Sequence, residues 1–191
     1  DIGADEIVAG TLAFTSATYS DGESAGTTTI TVTRTGGSAG AVSIDYATVG
    51  GGSATGGASC GGAVDFVNTS GTLNFPDSNV RQSFTVTLCP DALNEANETV
   101  NLALSNPLGG SIMGTPNTAV LTINDDDPAP TISITDVTQV ELNSGTSLFG
   151  FVVSLSAASG QTVTVHVQTA DGTATIANND YVAIPDTIVT F

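Results

Sequence analysis

The chain has 191 residues, with 19 Asp and Glu against 2 Lys and Arg and a formal net charge of −17. This balance excludes nucleic acid and anionic membrane surfaces as partners, because both bind through basic residues. The charge suits cations instead, and the length suits one to two domains of β-sandwich size. No run of residues approaches the roughly 20 apolar positions that a transmembrane helix needs, so we expect no membrane insertion.

Alternation of apolar and polar residues predicts an all-β chain. In residues 29–33, Ile30 and Val32 fall on one face and the threonines on the other, as in a half-buried strand. Glycine and threonine interrupt every window long enough for a helix. Strands are predicted, in chain order, at residues 11–19, 27–35, 41–48, 71–75, 80–89, 98–105 and 118–124. Seven short antiparallel strands of this kind predict a β-sandwich of immunoglobulin-like size.

The pattern breaks after the seventh strand and then begins again. An acidic stretch with two prolines, residues 124–130 (NDDDPAP), separates the two parts. Residues 163–169 and 187–191 then repeat the patterns of 41–48 and 71–75, which indicates an internal repeat. We therefore expect a complete sandwich at 1–127, a proline-containing linker at 128–130, and a second unit at 131–191.

The second unit has only the first half of the predicted strands. Half a sandwich leaves an apolar face uncovered and a strand edge unpaired. Three explanations stay open at this point. The chain is a fragment of a longer protein, the remainder was cleaved away, or a neighbouring chain supplies the missing strands as in donor-strand assemblies.

Cys60 and Cys89 are the only two cysteines of the chain. A cysteine pair in a β-rich chain with few basic residues favours a disulfide over a metal site, and it favours an extracellular or cell-surface location. Such a bridge closes a loop of about 30 residues and is expected to contribute about 3–4 kcal/mol. Two separate buried thiols are the alternative.

The acidic residues concentrate near predicted strand ends. Glu23 follows one strand, three acids lie within residues 91–98, and three more follow the seventh strand at 125–127. Loops of an antiparallel sandwich gather at its two ends, so these acids can converge. Carboxylates 4 Å apart repel by about 4 kcal/mol at an effective dielectric of 20, unless a cation neutralises them. Calcium, which takes six to eight oxygen ligands, suits such a site.

These motifs resemble the Calx-β domains of sodium–calcium exchangers, integrin β4 and large extracellular repeat proteins. The resemblance lies in residues 94–100 (NEANETV), 104–107 (LSNP) and 120–127 (VLTINDDD), and again in 171–174 (DGTA) and 179–181 (NDY). It covers one whole repeat and half of another. It implies an immunoglobulin-like antiparallel β-sandwich with one complete unit and a second half unit.

The resemblance also implies a set of calcium ligands. In the first unit they are Glu23, Asp91, Glu95, Glu98, Asp125, Asp126 and Asp127. In the second unit, Glu141 and Asp171 match ligand positions. The first unit departs from the family pattern at residues 49–54, where glycines replace the aspartate before Gly-Thr-Ala, so fewer ions or weaker binding are expected.

An enzyme is disfavoured. The single histidine, His166, lies in an alternating strand, and no nucleophile-elbow or phosphate-binding glycine loop is present. The expected function is a non-catalytic, calcium-stiffened structural or adhesive module of a large secreted or cell-surface protein. Its expected partners are calcium ions and other repeats of the same protein. The alternative is a subunit of an extracellular filament, in which strands of a neighbouring chain complete the half unit.

Overall fold

The computed structural model describes residues 8–191, which form two compact units. The first comprises residues 8–92 with 96–126, and the second comprises 93–95 with 127–191. The strands of the first unit are β1 (Thr11–Phe14), β2 (Thr18–Gly22), β3 (Thr27–Thr35), β4 (Val42–Val49), β5 (Gly56–Gly57), β6 (Phe66–Val67), β7 (Ser70–Phe75), β8 (Arg81–Thr87), β9 (Glu98–Leu108), β10 (Ile112–Met113) and β11 (Thr118–Asn124). The strands of the second are β12 (Ile132–Ile134), β13 (Val153–Leu155), β14 (Thr164–Val167) and β15 (Thr187–Thr190).

The first unit is a two-layered β-sandwich, which confirms the predicted fold class. One sheet has the strand order β10-β1-β3-β8, and the other has the order β2-β11-β9-β4-β7. Alternate residues of both sheets face inward, and Ile30 and Val32 are fully buried as the alternation predicts. The rings of Tyr46 and Phe84, from different sheets, stack with centroids 3.9 Å apart. The buried apolar core therefore joins the two layers.

The predicted strand at 11–19 is two strands in different sheets. β1 pairs antiparallel with β3, whereas β2 pairs parallel with β11. Residues 15–17 carry the chain from one sheet to the other, and the backbone amide of Thr18 donates to Ser16 Oγ in this turn at 3.2 Å. The sandwich is consequently not wholly antiparallel, because β1 with β10 and β2 with β11 are parallel pairs.

The second unit contains two antiparallel strand pairs. β12 pairs with β13, and β14 pairs with β15. The second pairing reproduces that of β4 with β7, in agreement with the internal repeat. Many large apolar side chains are exposed here, among them Leu148 and Val182. Across residues 8–191, no helix is long enough and apolar enough to span a bilayer.

The predicted disulfide between Cys60 and Cys89 is present. The two Cα atoms lie 5.3 Å apart, and the cysteines are 29 positions apart in the sequence. Cys89 follows β8 and is buried, while Cys60 lies in the loop after β5 and is exposed. The bridge thus attaches this loop to the end of β8.

Arg34 is a buried cation at the end of β3. Its side chain is 2% exposed, and its guanidinium donates hydrogen bonds to three backbone carbonyls. The acceptors are the carbonyl oxygens of Ala9 (2.6 Å), Gly40 (2.9 Å) and Ala39 (2.7 Å). Only a guanidinium offers donors in the fixed fork that this arrangement uses. Arg34 therefore joins the start of β1 to the turn between β3 and β4.

We expect Arg34→Met to destabilise the protein by about 2–4 kcal/mol, because three carbonyls lose their donor while the apolar stem is kept. Urea denaturation measures this loss. The matched control is Arg81→Met at the exposed first position of β8, for which we expect a change below about 0.5 kcal/mol. Equal stability of the two variants would contradict the role given to Arg34.

Asp45 links three strands at a bulge in β4. Its carboxylate accepts hydrogen bonds from Thr72 Oγ1 on β7 at 2.6 Å and from Asn106 Nδ2 on β9 at 2.9 Å. The pairing of β4 with β9 shifts register between Ser43 and Asp45. Two hydrogen bonds lower the pKa of Asp45 below the ordinary aspartate value. The bond from Thr72 has the larger effect and the bond from Asn106 the smaller.

A lowered pKa in the folded state means that ionised Asp45 stabilises the fold above about pH 4, and that this stabilisation is lost as the pH falls through the folded pKa. We expect Asp45→Asn to be less stable than the wild type at pH 7 and to approach it at pH 3 in urea denaturation. Thr72→Val removes the principal donor and should show the same pH dependence. A stability difference between wild type and Asp45→Asn that is independent of pH would refute this assignment.

Candidate metal centre

Three chain segments end at one edge of the sandwich because of how their strands pair. β2 runs parallel to β11 with Gly22 opposite Asn124, so Glu23 and the acids after Asn124 leave the sheet side by side. β8 runs antiparallel to β3 with Thr87 opposite Thr27, which brings the end of β8 to the beginning of β3. The topology therefore brings acids that are far apart in the sequence close together in space.

Three of the predicted ligands form a close cluster. Glu23, Asp91 and Asp127 each offer a carboxylate oxygen, and these oxygens lie within 4.8 Å of one another. Glu23 belongs to a short 3₁₀ helix, Glu23–Ala25, and its side chain is only 9% exposed. Its Oε1 accepts a hydrogen bond from the backbone amide of Asp91 at 3.3 Å. The cluster is therefore held partly by the backbone of the segment after β8.

One carboxylate of the cluster has an oxygen without a hydrogen-bond partner. Asp127 Oδ2 is buried and accepts no hydrogen bond within the described structure. Burying an anionic oxygen without a compensating partner is costly, since its hydration is lost and nothing replaces it. A cation at this position would supply the missing interaction.

Asp125 and Asp126 are positioned by neutral neighbours. Ser24 Oγ donates to Asp126 Oδ2, and a Cβ at Gly22 would lie 3.3 Å from the same oxygen. The backbone amide of Asp125 donates to Asn97 Oδ1 at 3.1 Å. A side chain at position 22 would therefore crowd the Asp126 carboxylate by a few tenths of an ångström.

The predicted ligands Glu95 and Glu98 do not form part of this cluster. Glu98 begins β9 and stands opposite Ile123, the residue before Asn124. Glu95 lies in the segment between β8 and β9. Neither contributes to the group of three carboxylates found among residues 8–191. The full ligand set stays a prediction.

Sequence reasoning missed the amide side chains that brace the site. Asn97 Nδ2 donates to Asn124 Oδ1 at 3.2 Å, and Asn124 Nδ2 donates to Ser20 Oγ at 2.8 Å. Asn94 Nδ2 donates to the carbonyl of Asp127 at 3.1 Å. The signal was present, since asparagines adjoin the acids in both motifs, but only carboxylates were considered as functional.

In the second unit, Asp171 has partners of its own. Its Oδ1 accepts hydrogen bonds from Tyr181 Oη at 2.8 Å and from the backbone amide of Ile176 at 3.0 Å. The hydrogen bond to this carboxylate raises the pKa of Tyr181. Neither Asp171 nor Glu141 belongs to a cluster of three potential ligands within the described part of the chain. Their role as ligands stays a prediction.

We expect Asp127→Asn to stabilise the ion-free protein, because it removes one of three mutually repelling carboxylates. The expected gain in the presence of chelator is about 1 kcal/mol at low ionic strength, and it should shrink at 1 M salt.

Thermal unfolding of both proteins at the two salt concentrations measures the gain. Asp77→Asn is the matched control, because it removes one carboxylate charge in the turn between β7 and β8 and keeps the oxygen that accepts from Gly40. A lower melting temperature for Asp127→Asn in chelator would contradict the repulsion.

Comparisons with known proteins match both parts of the chain to one domain family. Residues 5–127 and residues 128–191 each match the Calx-beta domain family. The solved apo-form Calx CBD1 domain is 28% identical over 61% of this chain and 97% of its own, with a TM-score of 0.53.

Two further structures span both matched segments. CBD12 of CALX1.2 is 27% identical over 95% of this chain and 70% of its own, with a TM-score of 0.55. The structure described as the calcium binding domain CBD12 of CALX1.1 is 27% identical over 94% and 69%, with a TM-score of 0.53. No curated protein shows significant similarity to the chain. On the matches to both of its segments, the chain belongs to the Calx-β domain family.

Proposed function

We propose that this chain is a non-catalytic calcium-binding module that stiffens a large secreted or cell-surface protein with a structural or adhesive role. The observation that carries the proposal is the buried, unpartnered Asp127 Oδ2 in a cluster with Glu23 and Asp91. Membership of a family that includes calcium-binding domains supports the choice of ion. Carboxylate oxygens are also the ligands that calcium prefers.

The proposed ligands come from three separate segments of the chain. Glu23, Asp91 and Asp127 are the nearest to one another, and Asp125, Asp126, Glu95 and Glu98 are the further candidates. Calcium takes six to eight oxygens, so backbone carbonyls or water would complete the shell. An ion shared by three segments would cross-link the sandwich edge and favour the folded state, in which alone these segments meet.

The proposed location follows from the disulfide. The bridge between Cys60 and Cys89 persists in oxidising compartments, which favours the secreted or cell-surface setting.

Both cysteines are bonded to each other, and His166 is exposed on β14 with its Nδ1 2.9 Å from Asp186 Oδ1. We propose no catalytic role for these groups. A high acidic charge keeps such a module soluble in a calcium-containing medium.

The second candidate function is that of a filament subunit. It is favoured by the exposed apolar side chains of the second unit, such as Leu148 and Val182. A strand of a neighbouring chain would cover part of this surface in that case. The formal charge of −17 opposes the association of identical chains at low salt, which favours the first candidate. The native mass in solution separates the two.

We expect calcium to raise the free energy of unfolding by about 2.7 kcal/mol at 100 times its dissociation constant, if only the folded state binds it. Unfolding in calcium and in chelator, at fixed ionic strength, measures the rise. Glu23→Gln and Asp127→Asn should each lose most of the increase, whereas the control Asp77→Asn should retain it. Equal stability of the wild type in calcium and in chelator would rule out the proposed site.

A further inference from the structure

The disulfide lies next to the proposed cation site. Cys89 precedes Asp91 by two residues, and Asp91 is one of the three clustered carboxylates. The intervening residue is Pro90, which has no backbone amide to donate. The segment that carries Asp91 is therefore covalently restrained two residues before this carboxylate.

Backbone hydrogen bonds hold the beginning of this segment after β8 has ended at Thr87. The amide of Leu88 donates to the carbonyl of Gly26 at 3.0 Å, and that of Cys89 donates to the carbonyl of Asp65 at 2.9 Å. The amide of Asp91 donates to Glu23 Oε1 at 3.3 Å. That last acceptor is itself a proposed ligand, so it does not fix Asp91 independently of the site. The disulfide is the covalent restraint nearest to Asp91.

The other end of the disulfide is attached to a braced loop. Asp65 Oδ2 accepts from the amide of Thr55 at 2.6 Å, and the amide of Asp65 donates to the carbonyl of Thr55 at 2.9 Å. β5 and β6 pair within this loop, with Gly56 opposite the buried Phe66. Cys60 lies between these two paired segments of the loop. The bridge thus fixes the segment after β8 to a part of the unit that has its own contacts with the core.

We propose that the Cys60–Cys89 disulfide positions Asp91 for the cation, so that the oxidised chain binds calcium more tightly than the reduced chain. This inference rests on the calcium site of the proposed function. It adds that the oxidation state of the cysteines regulates the site. Loss of a group that orients a metal ligand typically costs 10-fold to 100-fold in metal affinity, so we expect a decrease of roughly 10-fold on reduction.

A dithiol reductant would carry out the switch by thiol–disulfide exchange. One of its thiolates attacks the sulfur of Cys60, the more exposed of the two residues, forming a mixed disulfide and releasing the Cys89 thiolate. The second thiol of the reductant then displaces Cys60 and closes a cyclic disulfide. The reductant loses two electrons, and the two protons of its thiols end on Cys60 and Cys89.

The test is calcium titration calorimetry on the whole chain, oxidised and as Cys60→Ser/Cys89→Ser, at a temperature where circular dichroism shows both forms folded. We expect the double variant to bind calcium roughly 10-fold more weakly. If this variant does not fold, Cys60→Ala/Cys89→Val is used in its place, because it keeps an apolar side chain at the buried position 89. Affinities equal within 2-fold would overturn the proposal.

A double-mutant cycle separates positioning from general stabilisation. Asp91→Asn should weaken binding in the oxidised chain, and removing the disulfide as well should add little further loss, because both changes act through one ligand. Asp77→Asn combined with removal of the disulfide should show the full roughly 10-fold loss. Losses that simply multiply in the Asp91 cycle would overturn the proposal.

Linkage gives a second readout on the wild type. If the disulfide tightens calcium binding by a given factor, saturating calcium must favour the disulfide over the dithiol form by the same factor in a redox buffer. No effect of calcium on this equilibrium would also overturn the proposal. Failure of the proposed function is distinguishable, because the oxidised wild type would then bind no calcium at all, and both proposals would fall together.

Discussion

The parallel pairing of β2 with β11 decides where the acidic residues of this chain meet. The chain crosses from one sheet to the other at residues 15–17, and β2 then runs beside a strand that lies about one hundred residues later. Since both strands end at the same level, Glu23 and the acids after Asn124 leave the sheet together. Had residues 11–19 continued in the first sheet, this convergence would be lost.

The charge composition leaves few basic side chains that could neutralise these carboxylates. The chain has 19 acidic residues and only 2 basic ones. Arg34 uses its guanidinium on backbone carbonyls at the far end of β3, roughly 26 Å from Gly26 at 3.3 Å per strand residue. The guanidinium is too far from Glu23 to neutralise it, and its donors are already hydrogen-bonded to backbone carbonyls. A bound calcium ion would balance the local charge and fill the unsatisfied position at Asp127.

Neutral groups and covalent bonds take the place that ion pairs hold in less acidic proteins. Amide side chains such as Asn97 and Asn124 connect the strands below the carboxylates. The Asp45 carboxylate likewise relies on uncharged donors from Thr72 and Asn106. The disulfide fixes the segment after β8 without adding charge. This framework holds the carboxylates close together, so they still repel one another. A bound cation would relieve that repulsion.

The sequence by itself determined the fold class, the buried faces, the repeat and the disulfide. Alternation identifies the inward positions of β3 because side chains of a strand point to opposite faces, and two cysteines allow only one pairing. Only the tertiary structure decided that 11–19 divides between two sheets and that Glu23, Asp91 and Asp127 are the closest three of seven candidate acids. Local periodicity carries no information about which distant strands pair. The pairing of strands that lie about a hundred residues apart brings these carboxylates to within a few ångströms of one another.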